Sequence, residues 1–134
     1  MVCLYCGHET NVVNSRLKRR DNHTWRRRQC SACKSVFTTH EQPELASAIA
    51  VTAPGNCIEP FTRDKLFLSI YKSCEHRASG LEDATGLTQI IITNLLQRPA
   101  AAVLETAAIA EAAYTALQRF DKTAATVYNA YYRQ

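Results

Sequence analysis

Hydrophobic and polar positions follow two periods along this chain, short and strand-like up to about residue 43, then helical from about residue 62. Thr10-Asn11-Val12-Val13-Asn14-Ser15-Arg16-Leu17 has β-branched residues at its centre and predicts a strand. Asp21-Asn22 supplies a turn, Thr24–Gln29 the returning strand and Ser35–Thr39 a third strand. Leu45 to Val51 is a further apolar, strand-like stretch, closed by the turn signal Ala53-Pro54-Gly55-Asn56.

Beyond that turn the period lengthens. Thr62 is placed to cap a helix from Arg63 to about Glu75, with Leu66, Phe67, Ile70 and Cys74 along one face. Ser79 and Glu82 have capping-box spacing for a second helix whose apolar face includes Leu87, Ile90, Ile91 and Leu95. Pro99 ends that segment or begins the next. A third helix places Ile109, Ala113, Leu117 and Phe120 at helical spacing, and a short fourth carries Val127, Tyr128 and Tyr131. Ala100–Thr106 reads either as part of the third helix or as a connecting loop. The alanine enrichment here is a helix preference.

The pattern predicts an α+β chain, a small N-terminal β module followed by a mainly α-helical one, with the boundary near Gln42-Pro43-Glu44. The 134 residues suffice for one ordinary domain or two small ones, and 46% hydrophobic with 21% charged residues is a globular composition. No apolar run approaches the roughly 18 residues of a bilayer span. Met1–Cys6 has neither the basic nor the long apolar region of a signal peptide, so no membrane association is expected and the cytoplasm is the expected location.

Charge sharpens the division. Residues 1–41 carry eight Lys/Arg against three Asp/Glu, whereas residues 42–134 carry eight against nine. A polyanionic partner is therefore expected at the N-terminal module only. The six cysteines are as uneven, with Cys3-x-x-Cys6 and Cys30-x-x-Cys33 as two pairs separated by 23 residues. In a reducing compartment such pairs point to a metal, and four thiolates complete the tetrahedral shell that Zn²⁺ favours. A closed four-sulfur shell has no open position, so the ion is structural, and it supplies folding free energy that forty residues cannot draw from a core. His8, His23 and His40 are superfluous as ligands, and Cys57 and Cys74 read as small core residues. No nucleophile–base pair is visible, so the chain is not expected to be an enzyme.

Arg26-Arg27-Arg28 precedes the second pair, with Trp25 beside it, while Arg16, Lys18, Arg19 and Arg20 lie on or after the first strand. Strand alternation places part of each set on one face. Guanidinium groups bind phosphate oxygens bidentately and read guanine edges, which points to nucleic acid.

These residues resemble a known family. Cys3-x-x-Cys6, Val12-Val13-Asn14-Ser15-Arg16, Arg26-Arg27-Arg28-Gln29-Cys30-x-x-Cys33 and Phe37-Thr38-Thr39-x-Glu41 are similar to the zinc ribbon of the NrdR-type repressors of bacterial ribonucleotide reductase genes. Glu59-Pro60-Phe61-x-x-x-Lys65-Leu66 resembles the entry into the ATP-cone of that family, and Phe120-Asp121-Lys122-x-Ala124 with Val127-Tyr128 and Tyr132-Arg133 its closing segment. The resemblance implies a ribbon over 1–43 and a nucleotide-sensing, oligomerising cone over 44–134. It implies that Arg16, Arg26, Arg27 and Arg28 meet double-stranded DNA, and that Val51, Glu59, Thr62, Lys65, Arg77 and Tyr128 lie at a site for ATP or dATP. The function implied is a zinc-dependent repressor whose homo-oligomeric state follows those nucleotides. The chain departs from the family where a basic turn usually precedes Glu-Pro-Phe, since Val51–Ile58 holds no cation. Two other readings stay open, a cone kept only for self-association and a ribbon that acts as a protein adaptor.

Overall fold

The computed structural model describes residues 1–97 and 102–133, in two compact units, Met1–Pro43 and Glu44–Gln134. The expectation for Pro99, and for Ala100 and Ala101 within the stretch to Thr106, falls outside the described residues. No described helix is long and apolar enough to cross a membrane.

The first unit is an antiparallel sheet of β1 (Thr10–Lys18), β2 (His23–Cys30) and β3 (Val36–Glu41), with β2 central. These strands coincide to within two residues with those read from the sequence. Asn22, at φ 46°, turns the chain between β1 and β2, a conformation that asparagine tolerates. The pairing of β1 with β2 shifts register at Val13, between Val12↔Arg28 and Asn14↔Arg27. One residue is looped out there, and the face presented by the remainder of β1 is reset. The buried core of this unit is Cys3, Cys30 and Phe37 alone.

The second unit pairs a small sheet, in the order β5-β4-β6, with helices. Leu45 to Val51 does not form the single extended stretch expected. It divides into a helical turn, α1 (Leu45–Ala48), and β4 (Ala50–Ala53). Leu-Ala-Ser-Ala contains good helix formers, and the first β-branched residue, Ile49, is where the backbone becomes extended. β4 pairs antiparallel with β5 (Cys57–Pro60) and parallel with β6 (Val103–Glu105). The open choice between helix and loop for the residues before Thr106 resolves, from Val103 on, into this third strand.

α2 (Arg63–Cys74), α3 (Gly80–Leu96), α4 (Thr106–Phe120) and α5 (Lys122–Tyr132) bury one continuous cluster, in which Ile70, Ile91 and Leu117 have no accessible surface. Their i, i+3, i+4 spacing built that cluster. Neither predicted serine or threonine cap forms. The Thr62 hydroxyl donates to the Pro60 carbonyl at 3.4 Å, and the Ser79 side chain makes no bond to the first amides of α3. Ser79 donates instead to Asp83 Oδ2 at 2.7 Å, because Arg77 draws that carboxylate to the same spot. A Cβ on Gly80 would stand 2.6 Å from the Cys74 carbonyl oxygen, so this tight join of α2 to α3 requires glycine. Ile90, Phe120 and Tyr131, expected on apolar faces, are exposed. Each helical residue is rotated about 100° from the last, so burying Ile91 turns Ile90 outward.

Candidate functional site

The two Cys-x-x-Cys turns are built alike. Cys3 N donates to His8 O at 2.8 Å and Cys30 N to Ser35 O at 3.0 Å, each closing a loop of the same length. The residue before each acceptor has positive φ, Gly7 at 74° and Lys34 at 62°. Glycine takes that conformation without cost and lysine with strain. Backbone amides then point at sulfur, with Tyr5 N on Cys3 Sγ and Cys33 N on Cys30 Sγ, both at 3.4 Å.

The four Sγ atoms lie within 4.8 Å of one another. Zn–S bonds of about 2.3 Å in a tetrahedron set sulfurs about 3.8 Å apart. The Cys3–Cys33 pair, at 3.7 Å, and the Cys6–Cys30 pair, at 3.4 Å, are close to that edge. The donor set and its geometry fit zinc, and no histidine joins the cluster among the described residues.

Protons leave these thiols unequally. The hydroxyl and amide of Ser35, with the neighbouring thiols, bring Cys33 down to about 6. Burial works against the Cys30 thiolate, but the amides of Cys33 and Ala32 outweigh it and lower its pKa. The His8 amide favours the Cys6 thiolate, yet the surrounding thiols together push it up to about 11. A cation among the sulfurs favours the thiolate form of all four.

The basic residues separate by face. Opposite residues of an antiparallel pair share a face. Arg16 lies opposite Trp25 and Trp25 opposite His40, while Arg27 lies between Asn14 and Thr38. One face therefore carries Arg16, Trp25, Arg27 and His40, with the His23 and His40 rings 5.1 Å apart. Arg26 and Arg28 belong to the opposite face, shared with Cys30 and Phe37. Arg26 is bonded to Glu41 at 2.7 Å, and Arg28 Nε donates to Thr39 Oγ1 at 3.2 Å. Arg16 and Arg27 are exposed and, among the described residues, have no acidic partner. Of the four arginines singled out in the sequence, the fold leaves two free and engages two internally. The sequence signal for this division was the alternation itself, but the register shift at Val13 decides which β1 residues join which face.

In the second unit a cavity of about 400 Å³ opens between the β4–β5 hairpin and helices α2, α4 and α5. Val51, Glu59, Thr62, Lys65 and Tyr128 line it, brought together from β4, β5, α2 and α5. Phe61, Thr106, Ile109 and Tyr132 also line it, residues that the sequence reading did not assign to the site, although the i+4 spacing of Tyr132 from Tyr128 is a signal that could have found it. Burial raises the Tyr128 pKa, so its hydroxyl stays protonated. Lys65 Nζ is bonded to Glu59 Oε2 at 2.6 Å.

Arg77 is not part of the cavity wall. Its guanidinium reaches Asp83 at 2.7 Å and Asp121 at 2.9 Å and lies 4.7 Å over the Phe120 ring. Asp121 also caps α5, accepting from Thr123 N and Ala124 N. The Ala124 amide first, then His76 and Arg77, hold the Asp121 carboxyl at about 2, against burial that opposes it. A depressed carboxyl stabilises the fold above its ordinary value and loses that contribution as pH falls toward the folded value. Urea midpoints of the wild type should therefore fall between pH 4 and pH 2. Asp121→Asn keeps a capping side chain but no charge, so it should start lower at neutral pH and fall less steeply, and an equal slope would refute the assignment.

Comparison with known proteins adds a separate line. A family model described as the N-terminal domain of transcriptional repressor NrdR-like proteins matches residues 1–41. A transcriptional repressor NrdR of Symbiobacterium thermophilum is 35% identical over 137 residues, with 100% of this chain and 88% of the relative covered. Proteins of the same name from Albidiferax ferrireducens and Desulfotalea psychrophila are each 33% identical, covering 99% and 100% of this chain and 89% and 85% of their own. With the four-cysteine ribbon and the helical second unit in place, similarity of this extent along the whole sequence means that the chain belongs to the NrdR family of transcriptional repressors.

Proposed function

We propose that this protein is a zinc-dependent regulator in the cytoplasm that represses transcription by gripping double-stranded DNA with its ribbon. In this reading Cys3, Cys6, Cys30 and Cys33 hold zinc, and ribonucleotide reductase promoters are the targets implied by family resemblance. The second unit answers adenine nucleotides, of which ATP and dATP are the implied pair, by changing self-association. Paired copies fit the reading, because one ribbon has a small footprint and specific sites are usually read by modules at fixed spacing. It is a regulator and not an enzyme: its relatives are named repressors, and a four-sulfur shell holds no vacant coordination position.

The observation that carries DNA binding is the exposed sheet face with Arg16 and Arg27 uncompensated beside Trp25. Like charge left unpaired on a small module costs stability unless a polyanion meets it. The zinc-loaded chain, titrated by fluorescence anisotropy against a duplex from a ribonucleotide reductase promoter, should lose affinity steeply as salt rises. Each neutralised phosphate contributes a slope of about −0.9 in log–log form. Salt-independent or absent binding would sink the reading and favour the protein adaptor. A second reading, a cone kept for self-association alone, is favoured by the cation-free turn Ala53-Pro54-Gly55-Asn56, whose first two residues line the cavity.

A further inference from the structure

The cavity of the second unit has walls suited to one half of a nucleotide and unsuited to the other. Its broad surfaces are apolar and aromatic, chiefly Val51, Phe61, Ile109, Tyr128 and Tyr132. Its polar points include the neutral hydroxyls of Thr62, Ser69 and Thr106. The Thr106 hydroxyl donates to Thr52 O at 2.8 Å and so keeps lone pairs for an incoming donor, whereas the Ser69 hydroxyl donates to Leu66 O at 2.7 Å and also meets the Tyr128 side chain. Neutral hydroxyls beside aromatic rings match a base and a sugar.

The described residues offer nothing comparable to a polyphosphate. Among the described residues that line the cavity Lys65 is the one cation, and Glu59, also on the wall, is bonded to it at 2.6 Å. The β4–β5 hairpin contributes Ala53 and Pro54 to the wall, which bring no charge, and proline has no N–H to donate. The N-terminus of α2 adds about half a positive charge, offset by Asp64 in its first turn. Arg77, the other cation that the family resemblance would supply, is held by Asp83 and Asp121 elsewhere in the unit.

We infer that the cavity binds the nucleoside part of an adenine nucleotide and leaves the phosphates unrecognised, so that adenosine, its monophosphate and its triphosphate are equivalent ligands. The inference rests on the reading of this cavity as the nucleotide site and narrows its ligand class. A chain of this kind reports on adenine nucleosides and nucleotides together, and the degree of phosphorylation does not enter.

The test is calorimetric titration of the zinc-loaded full chain with adenosine, AMP and ATP in parallel. Their dissociation constants should agree within about threefold, less than the tenfold that one good charged contact confers. ATP binding about tenfold or more tighter than adenosine would overturn the inference while leaving the nucleotide site standing. No saturable binding by any of the three, from folded protein, would overturn both and leave the self-association reading. In the double substitution Ala53→Lys, Pro54→Arg, which restores a basic turn, ATP should gain about tenfold or more and adenosine should not. Equal change for both ligands would count against the inference, because the phosphates would then lie away from the turn.

Discussion

Stripping zinc from the loaded protein with a chelator is expected to unfold residues 1–43 and leave the helical unit standing. The reason is the size of the ribbon's core. Cys3, Cys30 and Phe37 are its buried residues, and two of those three belong to the four-cysteine cluster that can hold a metal. Burial of Phe37 contributes about 1.5–3 kcal/mol. Ordering the backbone costs about 1–2 kcal/mol per residue, so hydrogen bonds and one phenyl ring leave the module unfolded. In zinc-finger peptides structural zinc supplies about 10–16 kcal/mol in apparent terms, and a contribution of that size here would exceed that of the one buried phenyl ring. Trp25, the chain's one tryptophan, lies half-buried in β2 and reports on this unit directly. Its emission should shift to the red on chelation while the helical circular dichroism persists. Cys30→Ser should do the same without chelator, whereas Cys57→Ser, at an exposed thiol outside the cluster, should not. Unchanged Trp25 emission from protein shown to be metal-free would exclude a structural role for the ion.

The second large effect concerns the arginines. Arg16→Ala with Arg27→Ala should weaken DNA binding by two to four orders of magnitude, since each charge-assisted bond is worth about 1.5–3 kcal/mol and 1.4 kcal/mol is tenfold. The salt slope should drop by almost two units, because two phosphate contacts would be gone. Arg26→Ala and Arg28→Ala should act differently. They remove the bonds to Glu41 and Thr39, so their cost should appear in the stability of the ribbon, with little change in salt slope. If folded Arg26→Ala and Arg28→Ala proteins lost DNA while the Arg16, Arg27 double variant kept it, the face assignment would be inverted.

The three ribbon strands and the four long helices were legible in the chain because their causes are local. Alternation and β-branching mark the strands, and apolar residues three and four apart mark α2 through α5. What escaped the sequence were the elements whose causes are distant. β6 has three residues and exists through parallel pairing to β4, some fifty positions earlier. The serine expected to cap α3 does not do so, because its backbone, at φ −94° and ψ 17°, lacks the extended conformation of a cap, and its hydroxyl donates to Asp83 instead. Arg77 itself was read as a cation available to a ligand, and only its meeting with Asp121, 44 residues away, reveals its engagement.

By itself the sequence determined which atoms can surround a metal and which end of the chain is basic. Spacing within a Cys-x-x-Cys turn and the sum of local charge do not depend on how distant segments meet. Tertiary structure decided the orientation of that charge and the chemistry left open at the cavity. A one-residue shift at Val13 sets the face of Arg16, and cross-strand bonds withdraw Arg26 and Arg28. The cavity's electrostatics were decided in the same way, when folding set Glu59 against Lys65 and carried Arg77 to other partners. Side-chain identity is written locally, whereas a side chain's freedom to bind depends on every neighbour that reaches it first.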